Sequence, residues 1–274
     1  MDELLLHPRT KAEVTALLHD APHALLFVAP NGSGKRAIAT AWAGELAQNT
    51  EVTTLEPDEK GTISIDATRA LYQRTRAKQA GHQVVIIDHA EAMSGEAQNA
   101  FLKLLEEPRS GLTFILTAPN ANDLLPTVQS RLQVVQVHPV GTGELVNLAK
   151  KIQPSVDDQT LTQLLFVANG RAATLVMMLR DPEAFAHHKH IMQRAKQLLS
   201  ASQYERLSMI QELMKDKAEL TVMLEAMAHM LKLQLRRDPS PQWVHVADNL
   251  QVTLSRLRQN GNPRAQLVHL FMTY

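Results

Sequence analysis

The sequence predicts an α/β fold, with a parallel sheet in the first half of the chain and an all-helical remainder. Three observations carry this. Short aliphatic runs without polar alternation recur before residue 138, and such runs suit strands covered on both faces. Helical periodicity fills the intervals between them, and strand–helix alternation marks a parallel sheet. After Val137 the strand signals stop.

In chain order, Ala24–Ala29 is the first strand, followed by a helix near 35–48. Glu51–Leu55 is a weaker strand, followed by a helix near 65–80. Val84–Asp88 is the next strand, and a helix near 94–107 follows. In that helix Ala97, Phe101, Leu104 and Leu105 stand at i, i+4, i+7 and i+8, which makes one apolar face. Ser94 is its N-cap, and Pro108 ends it because the residue before proline disfavours helical angles. Leu112–Thr117 and Val134–Val137 complete the strands, and His138–Gly141 reads as a linker. Residues 143–180 divide into three short helices, with breaks near Pro154 and at Asn169-Gly170. Longer helices follow, one with a stripe of Leu220, Leu224, Met227, Leu231 and Leu235; Pro241 opens the next.

Composition narrows the function. The 274 residues are 45% hydrophobic and 20% charged, which excludes a disordered chain. Lys+Arg and Asp+Glu are both 28, so neither a strongly basic nucleic-acid binder nor a polybasic membrane protein fits the whole chain. The balance hides a mild split: residues 1–138 carry 12 basic and 16 acidic side chains, and the rest carry 16 and 12. Cysteine is absent, which excludes disulfides, cysteine-ligated zinc, iron–sulfur clusters and thiol nucleophiles. The run Ala24–Ala29 is far short of the roughly 20 residues that span a bilayer. The acidic start Met1-Asp2-Glu3 lacks a signal-peptide pattern, so a cytoplasmic protein without a membrane partner is expected. His187, His188 and His190 fit a solvated helix face better than a metal site, and no metal is expected. The methionines, including Met177-Met178, Met223, Met227 and Met230, fit a helical core.

The chemistry lies in Ala29-Pro30-Asn31-Gly32-Ser33-Gly34-Lys35-Arg36, between a strand and a helix. Glycines at 32 and 34 let backbone N–H groups turn around phosphate oxygens, and the helix points its positive end at the anion. Lys35 is placed to reach β- and γ-phosphates. Two positions depart from the phosphate-loop pattern. Ala29 stands where glycine is expected, and Arg36 stands where a Ser or Thr hydroxyl would ligate magnesium. A guanidinium has no acceptor atom and repels a cation. Asp88, at the end of an apolar strand, is the residue type that positions magnesium, but His89 follows it where a catalytic Glu is usual. The magnesium hydroxyl and the catalytic carboxylate are missing together. ATP is the cofactor this degenerate loop suggests; the residues alone leave open whether it binds.

Ile86–Met93 followed by Ala97–Pro108 closely resembles the bacterial clamp-loader AAA+ subunits of DNA polymerase III. Ile115-Leu116-Thr117-Ala118, with Leu125–Arg131, is similar to that family's sensor 1 and Ser-Arg-Cys segments, with Leu132 in place of the cysteine. The resemblance implies an AAA+ module over 1–138, a small helical lid over 139–181 and a helical collar over 182–274. It implies a five-subunit ring with gamma/tau and delta subunits that loads a sliding clamp on primed DNA. Within it this chain resembles the non-motor, stator-like type, whose own site is degraded. Ser130-Arg131 would then supply an arginine finger to a neighbour's ATP, an interaction worth ~10³–10⁵ in rate in other systems. Thr117 would be sensor 1, and Arg171, in Gly170-Arg171-Ala172, would lie in the sensor 2 region. With Asn31, Gly32, Ser33, Gly34, Lys35, Arg36 and Asp88 they would form the nucleotide site. The four-cysteine zinc module of many members is lacking, so no zinc is expected. An active motor ATPase is the runner-up reading, and an adaptor that kept the fold but lost the ring is the third.

Overall fold

The computed structural model describes residues 4–47, 52–76, 82–107, 109–258 and 261–273. They form two compact units, Met1–Ser155 with Gly170–Val176, and Val156–Asn169 with Met177–Tyr274.

The first unit contains α1 (Pro8–His19), β1 (Ala24–Val28), α2 (Lys35–Ala47), β2 (Val52–Leu55), α3 (Ile65–Arg76) and β3 (Gln83–Ile87). It continues with α4 (Gly95–Glu106), β4 (Leu112–Ala118), α5 (Pro126–Gln129), β5 (Gln133–Gln136) and α6 (Thr142–Ile152). Among the described residues the five strands pair in the order β2-β3-β4-β1-β5, every pair parallel. Successive side chains of a strand face opposite sides of the sheet, so the sheet has two cores. On one side Leu26, Val28, Val85, Ile87, Phe114 and Leu116 pack with Phe101 and Leu105 of α4. On the other, Leu25, Phe27, Val84, Ile86, Ile115 and Val135 pack with Val14 of α1 and Ile38 and Trp42 of α2.

Residues of β1, β3 and β4 are buried throughout, which explains their unbroken aliphatic runs. The edge strands β2 and β5 are partly exposed, and β2 was accordingly the weaker signal. Glu51, residues 48 and 77–80, and Pro108 lie outside the described residues, so the expected ends of α2 and α3 fall outside them; α4 ends at Glu106, with Glu107 as its C-cap. Ser94 caps α4, its hydroxyl accepting from Ala97 N at 3.1 Å. One helix had no counterpart in the sequence reading. Only Thr10 and Val14 of α1 are buried, too few for a visible period, and Trp42 Nε1 ties α1 down by donating to Val14 O at 3.0 Å.

The second unit holds α7 (Asp158–Ala168), the end of α8 (Ala172–Arg180), α9 (Pro182–Ser200), α10 (Gln203–Leu213), α11 (Lys217–Arg237), α12 (Pro241–Arg258) and α13 (Pro263–Met272). Leu220, Leu224, Met227 and Leu231 of α11 are buried with Ile191 and Leu198 of α9 and Leu250 of α12. Met223 and Met178 are buried too, but Met177 is 41% exposed and corrects its expected core placement. It neighbours Met178 in sequence, and adjacent helical residues project about 100° apart. Arg206 is buried and donates to Leu198 O at 2.8 Å and Leu199 O at 3.4 Å, satisfying carbonyls at the end of α9. Among the described residues no helix is long and apolar enough to cross a membrane.

Phe101 meets Phe114 edge-to-face at 5.1 Å in the centre of one core. Phe101→Ala should cost about 3–5 kcal/mol. Urea unfolding should show a lower midpoint with an unchanged slope, and an unchanged midpoint would contradict this packing.

Candidate functional site

Parallel strands bring all their C-terminal ends to one edge of the sheet. The turn after β1 runs there into α2, β3 ends there in Asp88, and Thr117 lies near the end of β4. The register aligns Phe27 with Thr117 and Ile87 with Leu116, so Asp88 comes level with Thr117.

Gly32 and Gly34 take φ of 79° and 92°, the left-handed region that the phosphate-loop reading required. Gly32 is also pressed against the first turn of α8. Its carbonyl accepts from Thr174 N at 3.0 Å and Thr174 Oγ1 at 3.4 Å, and a Cβ there would collide with Thr174 Oγ1. Arg171 Nη1 donates to Asn31 O at 3.4 Å. Ser33 folds back, its Oγ donating to Pro30 O at 2.6 Å. Lys35 is buried. Its Nζ donates to Ala29 O at 2.6 Å and to Pro30 O and Asn31 Oδ1 at 3.3 Å each. The ammonium is thus satisfied by its own loop, as burial of a charge demands.

Arg36 pairs with Glu56, and its Nη1 lies 3.7 Å from Asp88 Oδ2. The other carboxylate oxygen, Oδ1, accepts from Thr117 Oγ1 at 2.6 Å. A fixed cation therefore stands against the carboxylate that would position magnesium, and these residues do not fit that ion. His89 has φ 55°; its N–H donates to Thr117 Oγ1 at 3.0 Å and its Nδ1 lies 3.0 Å from Glu91 Oε1. The hydrogen bond to Glu91, helped by the charges of Glu91 and Asp88, raises the His89 pKa above the usual histidine value against the opposing effects of burial and Lys35. A histidine held towards its protonated form is a poor proton acceptor.

Asn31, Gly32, Ser33, Gly34, Lys35, Arg36, Asp88, Thr117 and Arg171 thus gather at one edge. Ser130 and Arg131 do not. They lie between α5 and β5, and β5 begins with Gln133 opposite Leu25, near the start of β1. At ~3.3 Å per residue the two edges stand roughly 15 Å apart. Arg131 Nη1 donates to Thr127 O at 2.7 Å and approaches Ser130 Oγ at 3.4 Å, while Nη2 donates to Glu106 Oε1 at 2.8 Å. The pair with Glu106 is half exposed, so it contributes only about 0–1 kcal/mol. Four partners escaped the sequence reading: Glu56, Glu91, Glu106 and Thr174. Glu91 was within reach of it, two residues from His89. Glu106 needed the topology, because α4 runs back along the sheet and ends at the edge where β5 begins.

This fold, a parallel sheet in the order β2-β3-β4-β1-β5 with a phosphate loop after β1, is shared with solved proteins of the AAA+ type. A solved DNA polymerase III gamma subunit-related protein of Thermotoga maritima shares it, with a TM-score of 0.51, 16% identity and coverage of 96% of this chain and 97% of that one. A profile of the family described as DNA polymerase III, delta subunit, matches residues 45–141. The chain is similar to DNA polymerase III delta-prime subunits. It is 31% identical over 178 residues to subunit delta' of Pseudomonas aeruginosa, covering 56% of this chain and 54% of that one. The replication factor C small subunit of Natronomonas pharaonis is 28% identical over 160 residues, covering 56% and 49%. The chain thus spans about half the length of the curated relatives it matches.

Two outcomes test the site. Gly32→Ala should destabilise the chain by more than the ~0.5 kcal/mol of an ordinary surface change, with part recovered in Gly32→Ala/Thr174→Ala; additive losses would deny the contact. By NMR, His89 should titrate above 6.5, and Glu91→Gln should lower its midpoint. Because the folded pKa is raised, His89 contributes its full stabilisation below the unfolded value and loses it as pH rises through the folded one. The stability gap between the natural chain and His89→Ala should therefore shrink as pH rises, and a gap that widens would contradict the pairing.

Proposed function

We propose that this chain is a non-motor, stator-like subunit of a DNA polymerase III clamp loader, helping to load a sliding clamp on primed DNA and donating Arg131 to a neighbour's ATP site. The separation of Arg131 from the chain's own phosphate loop carries this reading. An arginine at the opposite edge of the sheet cannot stabilise charge on a nucleotide held in its own loop. It can serve a nucleotide held by an adjacent subunit, where a guanidinium neutralises charge that builds on the transferred phosphate. The pairing of Arg36 with Glu56 and Asp88 supports the other half, since a guanidinium against Asp88 repels the magnesium ion that hydrolysis in the chain's own loop would need. The likeness to delta-prime and replication factor C subunits supports gamma/tau and delta subunits as partners in a five-subunit ring, with the three-part division into module, lid and collar, and a cytoplasmic setting. ATP, if held at the degenerate loop by the glycines and Arg171, would have to draw Lys35 from its three oxygens.

Reconstitution tests the proposal. The chain alone should show no magnesium-dependent ATP turnover. In the assembled ring, Arg131→Ala should lower ATPase activity and clamp loading by 10³-fold or more at the affected site, on the order of other arginine fingers. Turnover by the isolated chain that Lys35→Ala abolishes would instead favour a motor subunit. An assembled ring unchanged by Arg131→Ala would remove the finger assignment.

A further inference from the structure

Arg131 is held by more than its own turn. Its guanidinium joins the turn of α5 to the end of α4. Thr127 O belongs to α5, and Glu106 is the last residue of α4. The end of α4 carries the negative partial charge of a helix C-terminus, which favours a cation there, and Thr127 O adds a carbonyl acceptor from the single turn of α5. Glu106 would be poorly placed at a helix C-terminus without such a cation. The contacts are divided along the guanidinium: Nη1 is taken by Thr127 O and Ser130 Oγ, and Nη2 by a single oxygen, Glu106 Oε1. Arg131 and Glu106 also line one open groove, with His23, Leu105, Ser130 and Gln133. Without Glu106, no other contact among the described residues would fix the guanidinium plane on its far side, and a long side chain 35% exposed would sample many rotamers.

We infer that Glu106 is a positioning residue for Arg131, fixing the guanidinium plane across the groove before a neighbouring subunit presents the phosphates of a nucleoside triphosphate. The inference rests on the arginine-finger reading above. Glu106 acts through a hydrogen bond to Nη2 and makes no contact with the reacting phosphate. Because the bond is single and solvent-facing, the guanidinium keeps donors for an incoming oxyanion.

The test uses the full chain assembled with its partner subunits, with ATP, clamp and primed DNA. Glu106→Ala should lower kcat roughly tenfold, as a misplaced catalytic group does, while KM for ATP stays within about twofold because the neighbour's loop binds the nucleotide. Glu106→Gln keeps an acceptor oxygen of the same reach and should recover most of kcat. Glu106→Ala in an Arg131→Ala background should cause no further loss, since the residue acts only through the guanidinium. In the isolated chain, the Arg131 guanidinium NMR signals should broaden or exchange faster in Glu106→Ala and much less in Glu106→Gln. An unchanged kcat in Glu106→Ala, while Arg131→Ala is impaired, overturns the inference. So does a further loss in the double variant, which would show a structural role. A ring indifferent to Arg131→Ala overturns the finger reading itself, and the NMR comparison then still reports whether Glu106 orders the guanidinium.

Discussion

A single direction of chain travel governs the first unit. In a parallel sheet every strand leaves by the same edge, and each return must pass over a face of the sheet as a helix. The three central strands are consequently buried on both sides, and their backbone groups are satisfied by neighbouring strands. The same rule sorts the polar residues. Turns that follow strands put the glycine loop, Asp88 and His89 at one edge. The turn that precedes β5, and the end of α4, put Arg131 and Glu106 at the other. The separation of the two charged clusters is thus a property of the topology, and it survives changes in the residues themselves.

Each charged group in these clusters is compensated locally. Lys35 would be costly in its buried position were its ammonium not given to three oxygens of its own loop. Arg36 has two carboxylates, and His89 has Glu91. Carboxylates thus face Arg36 and His89, while neutral oxygens of the loop receive the Lys35 ammonium.

The strands were legible because burial on two faces leaves continuous aliphatic runs, and α4 because Phe101 and its neighbours keep a helical period. The first helix was not, since it buries two residues, one of them a threonine. Within the candidate site, residues adjacent in sequence were readable, from Asn31 to Arg36 and from Asp88 to His89. Pairings between distant segments were not. Glu56 and Glu106 are exposed carboxylates in a chain rich in them, and only the strand order shows that one reaches Arg36 and the other Arg131. Met177 was misread for a related reason: sequence shows that a methionine can be buried, while the direction in which it projects depends on the phase of its helix.

The buried hydroxyl of Thr117 has one hydrogen. It is given to Asp88, so the oxygen is left to receive the His89 N–H, and the left-handed backbone at His89 is what aims that N–H. Serine at 117 would keep both bonds, and valine would break both together. Positions 88, 89 and 117 are therefore not independent in the history of the chain: drift at one changes what the other two can accept, and related sequences should vary there as a set.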